Sequence, residues 1–314
     1  MLQLNSQQPT ANSQQPYCSQ IEEDLNKYFN NTSSKTYNNS GVFVHTFDGL
    51  SISKQNQLSE STQSCDNQKY RFCPSDSAIK NGFVSFSYLR RDIMPSKGTI
   101  IYPYNTYSGG GFIFKNDKIK PTCFYPVNAI SVGRYEGCGK HDDTTPNTYF
   151  CSSLGITTEE KFFTSYNNPP DGSKICAIRS DNFSLFIQTS QKTQYSEFSN
   201  NEVIVPVWTV KSLTEIQNID IWAFFYVMNA PYDMKPDTDF VNLQANLFNQ
   251  NVPTELKKCV CRVDYNELKT TSENNSYLKS NTDRNPFTCS MPSNNTKVGM
   301  YGALPNYKYS TRRY

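Results

Sequence analysis

The chain has 314 residues, with 30 Lys plus Arg against 28 Asp plus Glu and a formal net charge of +2. So even a balance offers no bulk attraction to nucleic acid or to an anionic membrane surface. Hydrophobic residues make up only 36%, but 21 Tyr and 20 Phe can fill a core, so one large β domain or two ordinary ones lie within reach.

Residues 1–17 are polar and low in complexity, a composition that does not order itself. They contain neither a basic n-region nor an apolar h-region, so a secretory signal is expected to be absent or already removed. A helix is predicted next. Ser19 and Glu22 fit a capping box, and Ile21, Leu25, Tyr28 and Phe29 share one face. An Asn/Ser/Thr-rich turn spans Asn30 to Ser40.

From Gly41 the apolar period becomes two, as in a strand. Val42, Val44 and Thr46 alternate with Phe43, His45 and Phe47, and GFVSFSYL alternates in the same way. Further strands are predicted at Thr99–Tyr104, Gly111–Lys115, Ile175–Arg179, Phe183–Thr189, Glu202–Val210, Ile219–Met228 and Lys258–Asp264. The apolar run Ile221 to Met228 is too short to cross a bilayer, which takes about 20 residues, so it reads as a central strand covered on both faces. Asp237 or Thr238 caps a second predicted helix with Phe240, Leu243 and Leu247 on one face. The expected fold is mainly β: an antiparallel β-sandwich or jelly roll with one or two short helices. Its expected divisions are a polar arm with a short helix (1–40), the sandwich (41–265) and a polar extension with an aromatic and basic arm (266–314).

Ten cysteines are dispersed along the chain: Cys18, Cys65, Cys73, Cys123, Cys138, Cys151, Cys176, Cys259, Cys261 and Cys289. An even, scattered set in a β-rich chain implies disulfides and an oxidising compartment. Cys259 and Cys261 point to the same face of one strand, so each is expected to bond a different partner. Cys138 and His141 have a metal-ligand spacing, but no C-x-x-C knuckle completes a zinc site, and no cofactor is expected. Of the two histidines, His45 reads as a half-buried strand residue and His141 as the one candidate general base. No nucleophile signature surrounds any Ser or Cys, so no catalytic residue is assigned and no enzyme is expected.

Gly109, Gly110 and Gly111 precede a strand rather than a helix, which suits a hairpin or a close backbone approach better than a phosphate cradle. Glycosylation sequons at Asn30, Asn31, Asn38, Asn182, Asn274 and Asn294 are about as many as chance gives in so Asn-rich a chain. Trp208 and Trp222 lie in apolar strand runs and are expected in the core. Tyr102, Tyr104 and Tyr107 are the better candidates for a ligand platform, since turn residues keep them near the surface.

The segments CFYPVNAISVGRYEGCG and NEVIVPVWTV with IWAFFYV resemble uncharacterised secreted β-proteins of microbial eukaryotes, over Lys118 to Met228. That resemblance implies an extracellular protein and carries no activity. The C-terminal Tyr307, Lys308, Tyr309, Arg312, Arg313 and Tyr314 interleave rings with cations, the residue types enriched where proteins anchor on one another. The leading expectation is a non-enzymatic, disulfide-stabilised protein of an extracellular or surface filament, sheath or coat, partnered by its own copies or neighbouring subunits. Two alternatives stand beside it: a jelly-roll capsid or minor virion protein of an AT-rich virus, and a secreted glycan-binding module or glycan-active enzyme.

Overall fold

The computed structural model describes residues 15–46, 83–93, 110–126, 138, 150–167, 176–192, 201–206, 221–229, 238–250, 252–268 and 283–293. Nine strands are seen: β1 (Val42–Thr46), β2 (Phe83–Leu89), β3 (Gly110–Phe114), β4 (Cys123–Tyr125), β5 (Ile178–Arg179), β6 (Glu202–Pro206), β7 (Ile221–Met228), β8 (Cys259–Asp264) and β9 (Phe287–Ser290). They form one sheet in the order β5-β4-β6-β2-β1-β3-β7-β8-β9. Every neighbouring pair is antiparallel except β7 and β8. The helices are α1 (Gln15–Asn30), α2 (Glu159–Asn167), α3 (Phe183–Lys192), α4 (Thr238–Gln250) and the single turn α5 (Tyr265–Leu268).

The protein is therefore mainly β and mostly antiparallel. Among the described residues, helices rather than a second sheet lie against both of its faces. On one face Cys18, Ile21, Leu25 and Phe29 of α1 pack with Val42, Val44, Ile113, Phe225, Val263 and Phe287. On the other, Phe183 and Phe186 of α3 and Val241, Ala245 and Phe248 of α4 pack with Phe43, Phe86, Phe112, Phe124 and Phe224. Rings hold this second layer together: Phe124 stacks on Phe186 at 4.7 Å, and Phe86 meets Phe114 edge-on at 4.9 Å. The segments expected as N- and C-terminal arms supply α1 and β9, so they share the core with the strands between them.

β7 occupies the predicted central position. Phe224 faces the α3/α4 layer and Phe225 the α1 layer, and both are fully buried. Its register against β3 slips between Ala223 and Ile221, leaving Trp222 as the extra residue of a bulge. Trp222 is buried on the α1 side, edge-on to Tyr28 at 5.8 Å, as its apolar setting predicts. The β7–β8 pair is parallel and needs a crossover, which is why α4 lies across a sheet face instead of closing one end. A β-carbon on Gly110 would sit 2.6 Å from both the Phe225 carbonyl and Val241 Cγ2. The glycine run is thus the close approach anticipated from sequence, where α4 meets β3 and β7.

Several expected elements change. FSLFIQT, read as a strand, is helix α3, because Phe183, Phe186, Ile187 and Ser190 are buried at helical spacing and the Asn182 side chain accepts the Leu185 N–H at 3.3 Å as an N-cap. Helix α1 begins at Gln15, so Ser19 and Glu22 lie inside it rather than at its cap; Pro16 is tolerated in that first turn. The buried stripe of α4 is Val241, Ala245 and Phe248, one position off the expected one, and Leu243 is only half-buried. β4 and β9 were not anticipated, and Ile175–Arg179 reduces to the two residues of β5. Thr99–Tyr104 lies outside the described residues.

Phe224→Ala and Phe225→Ala should each lower the unfolding free energy by about 3–5 kcal/mol, one from either side of the sheet. Denaturant titration of the oxidised protein measures this; a wild-type midpoint for both variants is incompatible with a central β7.

Candidate functional site

All eight cysteines among the described residues are paired: Cys18–Cys259, Cys123–Cys138, Cys151–Cys176 and Cys261–Cys289. Cys259 and Cys261 do take different partners from the same strand face. The first reaches back to α1 across 241 residues, and the second joins the residue directly opposite it on β9. Cys138, weighed above as a metal ligand, is instead bonded to Cys123, while Cys65, Cys73 and His141 lie outside the described residues. Among the described residues no group of three or more His, Cys, Asp or Glu is placed to hold a metal ion.

The two disulfides of β8 lie beside the one open groove of note in the described structure. It has a volume of about 610 Å³ and runs between α1 and the segment leading into β9, lined by Ser19, Glu22, Glu23, Asn26, Lys27, Asn30, Asn31, Asp283 and Asn285. Its floor is a ladder of side-chain-to-backbone hydrogen bonds. Glu22, Asn26 and Asn30 follow one another at four-residue intervals beside the apolar stripe of α1. Glu22 accepts the Cys289 N–H at 2.8 Å. The Asn26 side chain donates to the Phe287 carbonyl at 2.9 Å and accepts the Phe287 N–H at 3.2 Å. Asn30 does the same for Arg284, at 2.5 and 3.1 Å.

β9 is the edge strand, and the backbone groups of Phe287 and Cys289 on its outer side are the ones engaged. Helix α1 therefore acts as a side-chain substitute for a tenth strand and closes the edge to pairing. At the opposite edge β5 is two residues long, and Arg179 lies over the Phe150 ring at 5.3 Å. Around the groove, Arg91 pairs with Asp283 at 2.8 Å. Burial, and secondarily the like charge of Arg91, lower the pKa of Arg284.

Chemically this is a binding or packing surface. The groove holds no histidine or thiol, and its most buried amides are spent on backbone groups. His45 is the half-buried strand residue expected, with Nδ1 at 2.7 Å from the Ser85 carbonyl. Burial raises the Tyr88 hydroxyl well above the usual tyrosine value, and it donates to the Ser40 carbonyl at 2.6 Å. Tyr125 and Glu202 are register partners and both buried; burial first and the Glu202 charge second raise the Tyr125 hydroxyl. Tyr102, Tyr104, Tyr107, Trp208 and the arm residues Tyr307, Lys308, Tyr309, Arg312, Arg313 and Tyr314 lie outside the described residues.

The Asn ladder was missed from sequence. Its one available signal is polar residues at 22, 26 and 30 flanking the stripe at 21, 25 and 29. Asn26→Asp should lower stability by about 1–3 kcal/mol, because it removes the donor and sets an acceptor against the Phe287 carbonyl. Urea unfolding of this variant checks the pairing, and an unchanged midpoint would disprove it.

No family model, curated protein or solved structure matches the chain.

Proposed function

We propose that this chain is a non-catalytic, disulfide-stabilised structural module of an extracellular or surface assembly. The observation that carries the reading is the four disulfides among the described residues, one of which ties the N-terminal helix to a strand 241 residues away. Reducing compartments keep thiols free, whereas a chain that invests every described cysteine in a bond suits an oxidising one. Among the described residues no helix is long and apolar enough to cross a membrane. That is compatible with a secreted or surface role and decides nothing further.

The assembly part of the reading rests on the C-terminal arm and on the state of the sheet edges. Tyr307, Tyr309 and Tyr314 alternate with Lys308, Arg312 and Arg313, a mixture suited to anchoring on another protein. With β9 covered by α1 and β5 only two residues long, contacts between copies fall to such side chains rather than to strand addition at these edges.

Two measurements test the proposal. Alkylation of the native protein without reductant should leave the eight described cysteines unlabelled, and Cys176→Ser should cost about 2–5 kcal/mol. Labelling of those eight by alkylant alone overturns the oxidised reading. Deleting residues 305–314 should leave a folded monomer and weaken oligomers in sedimentation velocity; a truncated chain that assembles as well as the full one removes the arm from the account.

A further inference from the structure

Sequence alone could not choose among six glycosylation sequons. The structure can, because a glycan replaces one hydrogen of the asparagine side-chain nitrogen and then occupies the space beyond it. Asn30 has no hydrogen to give up: its nitrogen donates to the Asn26 and Arg284 carbonyls while its oxygen accepts from Arg284. A sugar there would break the ladder that holds β9. Asn31 is half-buried, donating to the Asn39 carbonyl at 2.7 Å and accepting from the Ser33 hydroxyl at 3.0 Å. Asn182 is half-buried and caps α3. Asn274 and Asn294 lie outside the described residues.

Asn38 differs from these. It is exposed, in the short 3-10 turn Tyr37–Asn39. The residues on either side of it are fixed. Tyr37 packs edge-on against Phe43, Phe124 and Phe183. Ser40 is fully buried, its carbonyl taken by Tyr88 and by Asn116. The chain is thus anchored on both sides of a side chain that points to solvent, and a glycan there disturbs no packed group.

We propose that Asn38 is a site of N-linked glycosylation, an inference that rests on the extracellular reading above. The donor is a polyprenyl-diphosphate-linked oligosaccharide. The bond from its anomeric carbon to the diphosphate oxygen breaks, and the bond to Asn38 Nδ2 forms. The polyprenyl diphosphate leaves with the electron pair, and the amide nitrogen gives up one proton to a base of the transferase. The acceptor motif is Asn38-Asn39-Ser40.

The test is expression of the full chain, with an added cleavable secretion signal, in a eukaryotic host, followed by glycosidase release in heavy-oxygen water and peptide mass mapping. The Asn38 peptide should carry the label, and the Asn30 peptide should not. In Asn38→Gln the intact mass should fall by one glycan while the thermal midpoint of the deglycosylated protein stays unchanged. An unlabelled Asn38 in secreted, disulfide-bonded protein overturns the site, as does a label on Asn30 in such protein. The extracellular reading fails separately, when cysteines of the native protein react with alkylant in the absence of reductant.

Discussion

An asparagine side chain carries one donor and one acceptor, spaced so that both can meet the N–H and C=O of a single extended residue. Four such pairs occur here: Asn26 with Phe287, Asn30 with Arg284, Asn201 with Tyr88, and Asn249 with Lys258. Each sits where a backbone ladder ends. Asn201 continues the β2–β6 register one step beyond its last strand pair, and Asn249 fastens the end of α4 to the start of β8. A buried backbone group left without a partner costs about 1–3 kcal/mol, so these amides decide where the sheet can stop. On α4, Asn242 and Asn246 divide the same task, holding the N–H and C=O of Ser293 at 2.8 Å each.

The ladder on α1 works together with the covalent bonds beneath it. β8 presents Cys259 and Cys261 to one face, and their bonds run to α1 and to β9. Helix, penultimate strand and edge strand are thereby linked three ways: by disulfides, by the apolar stripe of α1, and by Glu22, Asn26 and Asn30. The apolar stripe supplies the burial, while the polar row and the disulfides set the register. Removing the row would expose the outer edge of β9, the kind of surface through which β-proteins associate without control. The edge is covered by side chains of a helix, so the covering can be altered without touching the sheet.

The Asn-rich composition consequently has a structural use in the described residues, although a biased genome can supply it. Where the amides are engaged, they close the groove floor and exclude modification; where one is exposed, as at Asn38, the same residue type is open to it. The groove itself is polar and open, with Arg91 and Asp283 paired beside it.

The period-two runs around Val42, Phe83 and Ile221, the buried centrality of β7, the separate partners of Cys259 and Cys261, and the close approach at Gly110 were all legible from residue order. These follow from local chemistry: alternation, apolar content on both faces, side-chain direction and the absence of a β-carbon. What residue order could not decide was pairing at a distance. FSLFIQT alternates well enough for a strand, and only its burial beneath the sheet and the Asn182 cap make it a helix. The parallel placement of β8, the recruitment of α1 and β9 into one core, and the meeting of Asn26 with Phe287 across 261 residues depend on where the chain returns in space. An amide side chain looks the same in sequence whether it faces water or completes a sheet, and only the tertiary fold brings the missing backbone partner to it.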